Sequence, residues 1–291
     1  MRKSIAIIIT SILVLSGCNK QQSVSDRLLN EVEKAIAINP DSASNLLKSI
    51  SSPEKLDDKA FARWCMLSGK ITDEIFNSIL PTYQLERAYD WYSSHGSPDE
   101  QVQILIYLGR SYFADGDYDK AMSIYTNALD IAGKNKLNNL IGYTYDYIGD
   151  LYREKFMRTE AIKRYEIAAE YFKKEKNTDS YACALRDIGR EYAQMDSLSH
   201  ALNILIIADS VAANTSNINV TASINNALGN IYSMQNKYDK AEEYLLKALL
   251  TGREKMPDYV ALIDLYTASN SINKAKELLS KIPQDTPQYT C

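Results

Sequence analysis

The sequence predicts an all-α fold, a solenoid of antiparallel helix pairs, and three observations predict it. Gly109, Gly149, Gly189 and Gly229 stand forty residues apart. Each is followed three residues on by a tyrosine (Tyr112, Tyr152, Tyr192, Tyr232) and twelve on by an alanine (Ala121, Ala161, Ala201, Ala241). Between the two halves of each unit lie short polar breaks such as Asp115-Gly116-Asp117 and Gln235-Asn236-Lys237. A fixed period of this size marks one supersecondary unit copied and stacked, and the breaks suit a tight helix-to-helix turn.

The chain opens on Arg2-Lys3, a largely apolar run from Ile5 to Leu15, and then Leu15-Ser16-Gly17-Cys18. A run that short does not span a bilayer as a permanent helix, and its charged start and small-residue end read as a secretory signal. The ending resembles the bacterial lipobox. That resemblance implies a signal peptide over 1–17, a lipid on Cys18 that attaches the chain to a membrane, and a polar tether over 18–24. Several acyl chains on one residue make such attachment stable. The tether Asn19-Lys20-Gln21-Gln22-Ser23 carries no acidic cluster, so a periplasm-facing position in the bacterial cell envelope is expected.

Residues 25–97 read as irregular helical pairs. Leu28 to Ile38 and Ala43 to Ile50 are split by Asn39-Pro40-Asp41, with Asp41 or Ser42 as the cap of the second helix. Phe61, Trp64, Cys65 and Leu67, then Leu85, Ala88 and Tyr92, suggest one more pair. Four regular units occupy 98–255. The first reads Leu108-Gly109-x-x-Tyr112, then Ala121, Tyr125 and Ala128; the second Ile148-Gly149-x-x-Tyr152, then Ala161, Tyr165 and Ala168. The third places Ala201, Leu205 and Ala208, the fourth Ala241, Leu245 and Ala248, in the same phase. Steps of three and four residues gather these groups on one helix face. A glycine inside a helix costs about 1 kcal/mol relative to alanine, so four at one phase imply a packing reason. A weaker unit over 256–291 has Leu262-Ile263-x-x-Tyr266 followed by Ala275, Leu279 and Ile282. There Ile263 stands where the others have glycine, which predicts looser packing of that pair.

In order and spacing these small and aromatic residues resemble the tetratricopeptide repeat (TPR) family. The resemblance implies a right-handed superhelical TPR solenoid, non-enzymatic, whose first helices line a concave groove that binds a peptide or a partner protein. In such arrays the residue after the repeat glycine and the one a turn earlier point into the groove. Here these are Ile106 and Arg110, Asp146 and Asp150, Arg186 and Arg190, and Asn226 and Asn230, with Phe113 and Arg153 one turn further. The candidate peptide-binding groove is therefore Arg110, Asp146, Asp150, Arg153, Arg186, Arg190, Asn226 and Asn230. Guanidinium forks take carboxylates in a bidentate way, and Asn amides pair with an extended backbone. A second reading stands beside it: opposite charges on successive helices, Asp146 beside Arg186 and Arg110, Asp150 and Arg190 in line, neutralise one another in a surface ladder worth about 0–1 kcal/mol per pair.

The layout also resembles the N-terminal half of Bacteroides-type TPR membrane regulators, in which the array is followed by a transmembrane helix and a DNA-binding helix-turn-helix. This sequence departs from that pattern by ending at Thr290-Cys291. A ligand-sensing half of such a regulator, and an outer-membrane assembly lipoprotein, are thus the alternatives to a lipid-anchored binding protein.

Composition narrows the chemistry. Without residues 1–17 the 33 Lys and Arg become 31, against 37 Asp and Glu, a net charge of about −6, so direct nucleic-acid binding is not expected. No Gly-rich phosphate loop, nucleophile elbow or zincin helix is present. Cys65 and Cys183 lie in distant units and are expected to be free thiols; neither they nor His95 and His200 have metal-ligand spacing. His95 is expected at a helix end and His200 at the surface. No cofactor is expected.

Overall fold

The computed structural model describes residues 26–75, 79–253 and 255–282. The segments read from the sequence as a signal peptide (1–17) and tether (18–24), with Cys18, and Cys291 lie outside them. The described residues are helical throughout, with a short 3-10 turn at Pro53–Lys55 and no strand. Two compact units divide the chain between Leu140 and Ile141.

In the first unit α1 covers 26–36, followed by α2 (Pro40–Lys48), α3 (Asp58–Ile75), α4 (Thr82–His95), α5 (Pro98–Ala114) and α6 (Tyr118–Lys134). The cap of α2 is Asn39, not Asp41 or Ser42: its side chain accepts from the Ser42 amide at 3.0 Å. Pro40 explains the shift, because proline fits the first helical position, where no amide donor is needed. Ser97 and Glu100 close a reciprocal capping box on α5. Leu29, Val32, Ala43, Leu47 and Ile71 form one core, and Phe61, Cys65, Leu85, Ala88, Tyr92 and Ile104 a second.

The second unit begins within the first turn of α7 (Asn138–Glu154) and continues through α8 (Arg158–Lys174), α9 (Thr178–Gln194), α10 (Leu198–Ala212), α11 (Ile218–Met234), α12 (Tyr238–Thr251), α13 (Met256–Ala268) and α14 (Ile272–Lys281). The repeat glycines have the packing reason that their phase implied. A methyl on Gly149 would lie 2.5 Å from the Tyr165 ring, and one on Gly229 would lie 2.6 Å from Leu245 Cγ. Gly109 and Gly189 stand in the same relation to Tyr125 and Leu205. Each glycine is a notch for the large residue sixteen positions on, and Ala121, Ala161, Ala201 and Ala241 are all fully buried beside it. In the last pair Leu279 is 54% exposed, against the spacing-based expectation, and Leu278 packs on the Leu262 and Tyr266 core instead. No described helix is long and apolar enough to cross a membrane.

Candidate functional site

The polar residues that the repeat phase singles out fall on the first helices of the pairs. In the second unit two contacts tie consecutive first helices along one face. Arg186 Nη1 on α9 donates to Ser223 Oγ on α11 at 2.9 Å, and Asn226 Nδ2 on α11 donates to Asp258 Oδ1 on α13 at 2.7 Å. On α7, Asp146 feels the charges of both Arg186 and Asp187. Asp146, Asp150, Arg153, Arg186, Arg190, Asn226 and Asn230 thus share a continuous polar strip. In the first unit Arg110 forms an ion pair with Asp73 of α3, and the Tyr107 hydroxyl donates to the same carboxylate at 3.0 Å.

The pairing differs from a simple helix-to-helix ladder. Arg186 does not bridge to Asp146. Its Nε and Nη2 grip both oxygens of its neighbour Asp187 at 3.0 and 2.7 Å. A bidentate fork to a buried carboxylate outcompetes a single contact across the helices. Burial raises the pKa of Asp187, but Arg186 reverses this and holds the carboxyl below its usual range. Arg190 adds one longer bond to Asp187 Oδ1, 3.4 Å, and keeps 43% of its side chain exposed.

On α7, Arg153 pairs with Asp150 at 2.6 Å and also donates to the Tyr165 hydroxyl at 3.0 Å; that hydroxyl donates to Asp150 at 2.7 Å. Tyr165 is the residue seated in the Gly149 notch, so the core ring of this repeat also orients the charged face. Burial raises the Asp150 pKa, with Arg153 opposing. Asp146 has less support. Its Oδ1 is buried and has no hydrogen-bond partner among the described residues. Burial, then the like charges of Asp150 and Asp187, push its carboxyl well above the ordinary range.

Asn226 and Asn230, placed on the groove by the repeat phase, are linked: Asn230 Nδ2 donates to Asn226 Oδ1 at 3.0 Å, and Asn226 in turn holds Asp258. Asn226 is buried and its amide is spent inside the strip, whereas Asn230 is exposed. Four participants escaped sequence reasoning: Tyr165, Asp187, Ser223 and Asp258. Asp187 carried a signal, since it lies between Arg186 and Arg190. Ser223 and Asp258 carried none, because their roles depend on which turn of the next helix lies opposite.

Away from the strip, Cys65 and Cys183 are free thiols, and burial pushes Cys65 up to about 12. His95 ends α4 with Nδ1 3.0 Å from the Trp91 carbonyl, stacked on the Trp91 ring. His200 is exposed and stacks on Tyr192.

Family models described as tetratricopeptide repeat match residues 105–138 and 221–256. The photosystem I assembly protein Ycf3 of Rippkaea orientalis (strain PCC 8801 / RF-1) is 32% identical over 91 residues, which are 31% of this chain. The match spans about half, 52%, of that relative's length. Among solved structures, a Rap protein complexed with competence and sporulation factor aligns with TM-score 0.73 and 18% identity, covering 89% of this chain and 75% of that one. BtubC (BKLC) of P. vanneervenii gives 0.58 and 17%, over 72% and 95%. The apo quorum sensor NprR of B. thuringiensis gives 0.57 and 15%, over 89% and 75%. The chain therefore carries TPR units, and its fold is that of an α-helical TPR solenoid.

Proposed function

We propose that this chain is a non-enzymatic, lipid-anchored binding protein that holds a peptide or a partner protein on the polar strip of α7, α9 and α11. One observation carries the reading: in a strip where Arg153, Arg186 and Asn226 are engaged by their neighbours, Arg190 keeps 43% of its side chain exposed with a single long bond, and Asn230 beyond it is exposed. Half-exposed guanidinium and amide donors are placed to pair with a partner's carboxylate or extended backbone. Buried ion pairs are often no more stabilising than well-packed apolar residues of similar volume, so stability alone gives little reason to keep so many charges together. Attachment through lipid on Cys18 would hold this strip at a membrane of the cell envelope. Affinity capture with the full chain from a detergent-solubilised membrane fraction tests the reading. Arg190→Ala with Asn230→Ala is expected to release the captured partners while leaving helicity and unfolding temperature unchanged; equal capture by that double variant removes the strip from the interface. Palmitate labelling is expected to mark the wild-type chain and to be lost in Cys18→Ala.

A second reading, the ligand-sensing half of a regulator, draws support from the fold shared with the Rap protein bound to competence and sporulation factor and with the quorum sensor NprR. It predicts a rise in unfolding temperature with a soluble peptide and few stable partners in the membrane capture.

A further inference from the structure

We propose that the turn joining α7 to α8, with the end of α9 beside it, is a docking ledge for an apolar segment of a partner polypeptide, one that sets an aliphatic or aromatic side chain on the Phe156 ring with a lysine or arginine next to it. The ledge goes beyond the polar strip and acts whether or not the strip binds. Backbone conformation points to it first. The five turns inside helix pairs hold Gly116, Phe156, Asp196, Asn236 and Asn270 with φ between +56° and +78°. Glycine, asparagine and aspartate enter this left-handed region most readily, and a bulky side chain there is an outlier. Two turns between pairs use Lys136 and Lys176, both polar, so Phe156 is the one large apolar residue in the series. Phe156 is 79% exposed, so core packing does not offset the strain. Strain of this kind persists chiefly where a site uses it.

The ring is also held in place and has apolar company. The Arg158 guanidinium lies 5.8 Å from the Phe156 ring centroid, within reach of a cation–π contact, and is itself fixed by Glu191 of α9 at 3.0 Å. The Met195 amide bonds to the Glu191 carbonyl at 3.1 Å, so Glu191 brings the end of α9 beside the Phe156 turn. Met157 and Met195 are 47% and 44% exposed. Single exposed apolar residues are ordinary, whereas a group of them rimmed by polar residues marks an interaction site, and methionine adapts its shape to what it meets. The repeat does not require this group: the equivalent turn of the first pair reads Asp115-Gly116-Asp117. Charge decides the occupant. Arg158 and Glu191 cancel, and the exposed margin, Glu154, Lys155 and Asp196, is net negative. An acidic margin disfavours an anionic bilayer surface and favours a cation beside the apolar side chain of a polypeptide.

The probe is a random peptide library displayed on phage, selected against the full chain in detergent, with the enriched peptides then titrated by fluorescence polarisation. These peptides are expected to carry an aliphatic or aromatic residue beside lysine or arginine. Phe156→Asn is expected to bind them about tenfold more weakly while its unfolding temperature rises by about 2–4 °C, so the loss is not one of folding. Glu154→Lys with Asp196→Lys is expected to move the enrichment to apolar residues beside aspartate or glutamate; the left-handed position accepts lysine, as Lys136 and Lys176 show. Enriched peptides without an apolar residue, equal binding by Phe156→Asn, or no enrichment at all overturns the ledge. Emission from Phe156→Trp that moves to the blue when the full chain passes from detergent into phosphatidylglycerol vesicles, and does not respond to the enriched peptides, assigns the surface to a bilayer and overturns it too. Each of these outcomes leaves the strip to its own test, the double variant at Arg190 and Asn230.

Discussion

Asp146 holds a carboxyl where the fold gives it little support, and that has a measurable consequence. Its pKa is raised above the unfolded value by burial and by Asp150 and Asp187. Above the unfolded pKa of about 4 the native state therefore binds more protons than the unfolded state, and stability falls as pH rises through that window. Asp146→Asn is expected to stabilise the protein at pH 7 by about 1–3 kcal/mol, with the gain disappearing near pH 4; urea titrations at the two values check it. Asp187 has the opposite sign, since its folded pKa is depressed: its contribution is present above the unfolded pKa and is lost as pH falls through the folded value. Gly149 tests the packing instead. Gly149→Ala places a methyl 2.5 Å from the ring of Tyr165, which is fully buried, and is expected to cost about 1–3 kcal/mol through overpacking. The same variant should also loosen the Tyr165 hydroxyl from Asp150, visible as weaker binding on the strip.

At the scale of the element, the turns repeat as regularly as the helices. Gly116, Lys136, Phe156, Lys176, Asp196 and Asn236 all have φ between +57° and +78°, and they recur at multiples of twenty residues. After each, an amide bonds back to the carbonyl five residues earlier, as in Asp117 to Tyr112, Met157 to Tyr152 and Lys237 to Tyr232, each 2.9 Å. This is the closure that ends a helix through a left-handed residue. Only one of the six is glycine, although a left-handed conformation costs other residues about 1–2 kcal/mol. Phe156 combines that cost with 79% exposure, so Phe156→Gly is expected to raise stability by about 1 kcal/mol, read as a rise of about 2–4 °C in unfolding temperature. The turn after α10 breaks the series. There Asp179 accepts from Thr215 and, at 3.1 Å, from Asn217, and these side-chain bonds replace the left-handed closure.

For the whole molecule, cores follow one another along the chain and each helix packs mainly on its sequence neighbours, which makes stability local. The cluster of Ala161, Tyr165, Leu185, Leu205, Ile224 and Leu228 joins α8 to α11, whereas α14 buries only Ala275 fully and leaves Leu279 exposed. Hydrogen exchange is expected to be slowest in α9 to α11 and fastest in α14, α1 and α2. Uniform protection across all helices would show a single cooperative unit and contradict this picture.

Period, helix pairing and core were legible in the residues because helical repetition is local: spacings of three, four, sixteen and forty residues suffice to place Gly149 against Tyr165 and Gly229 against Leu245. The face that carries Arg186, Arg190, Asn226 and Asn230 was legible for the same reason. The partners of those residues were not. Whether Arg186 turns to Asp146 or Asp187, and whether Asn226 is free or spent on Asp258, depends on side-chain reach, burial and the vertical offset between successive helices. Tertiary structure alone decides these quantities, since a buried fork to two oxygens and a bare carboxylate have the same sequence signature until the neighbouring helices are in place.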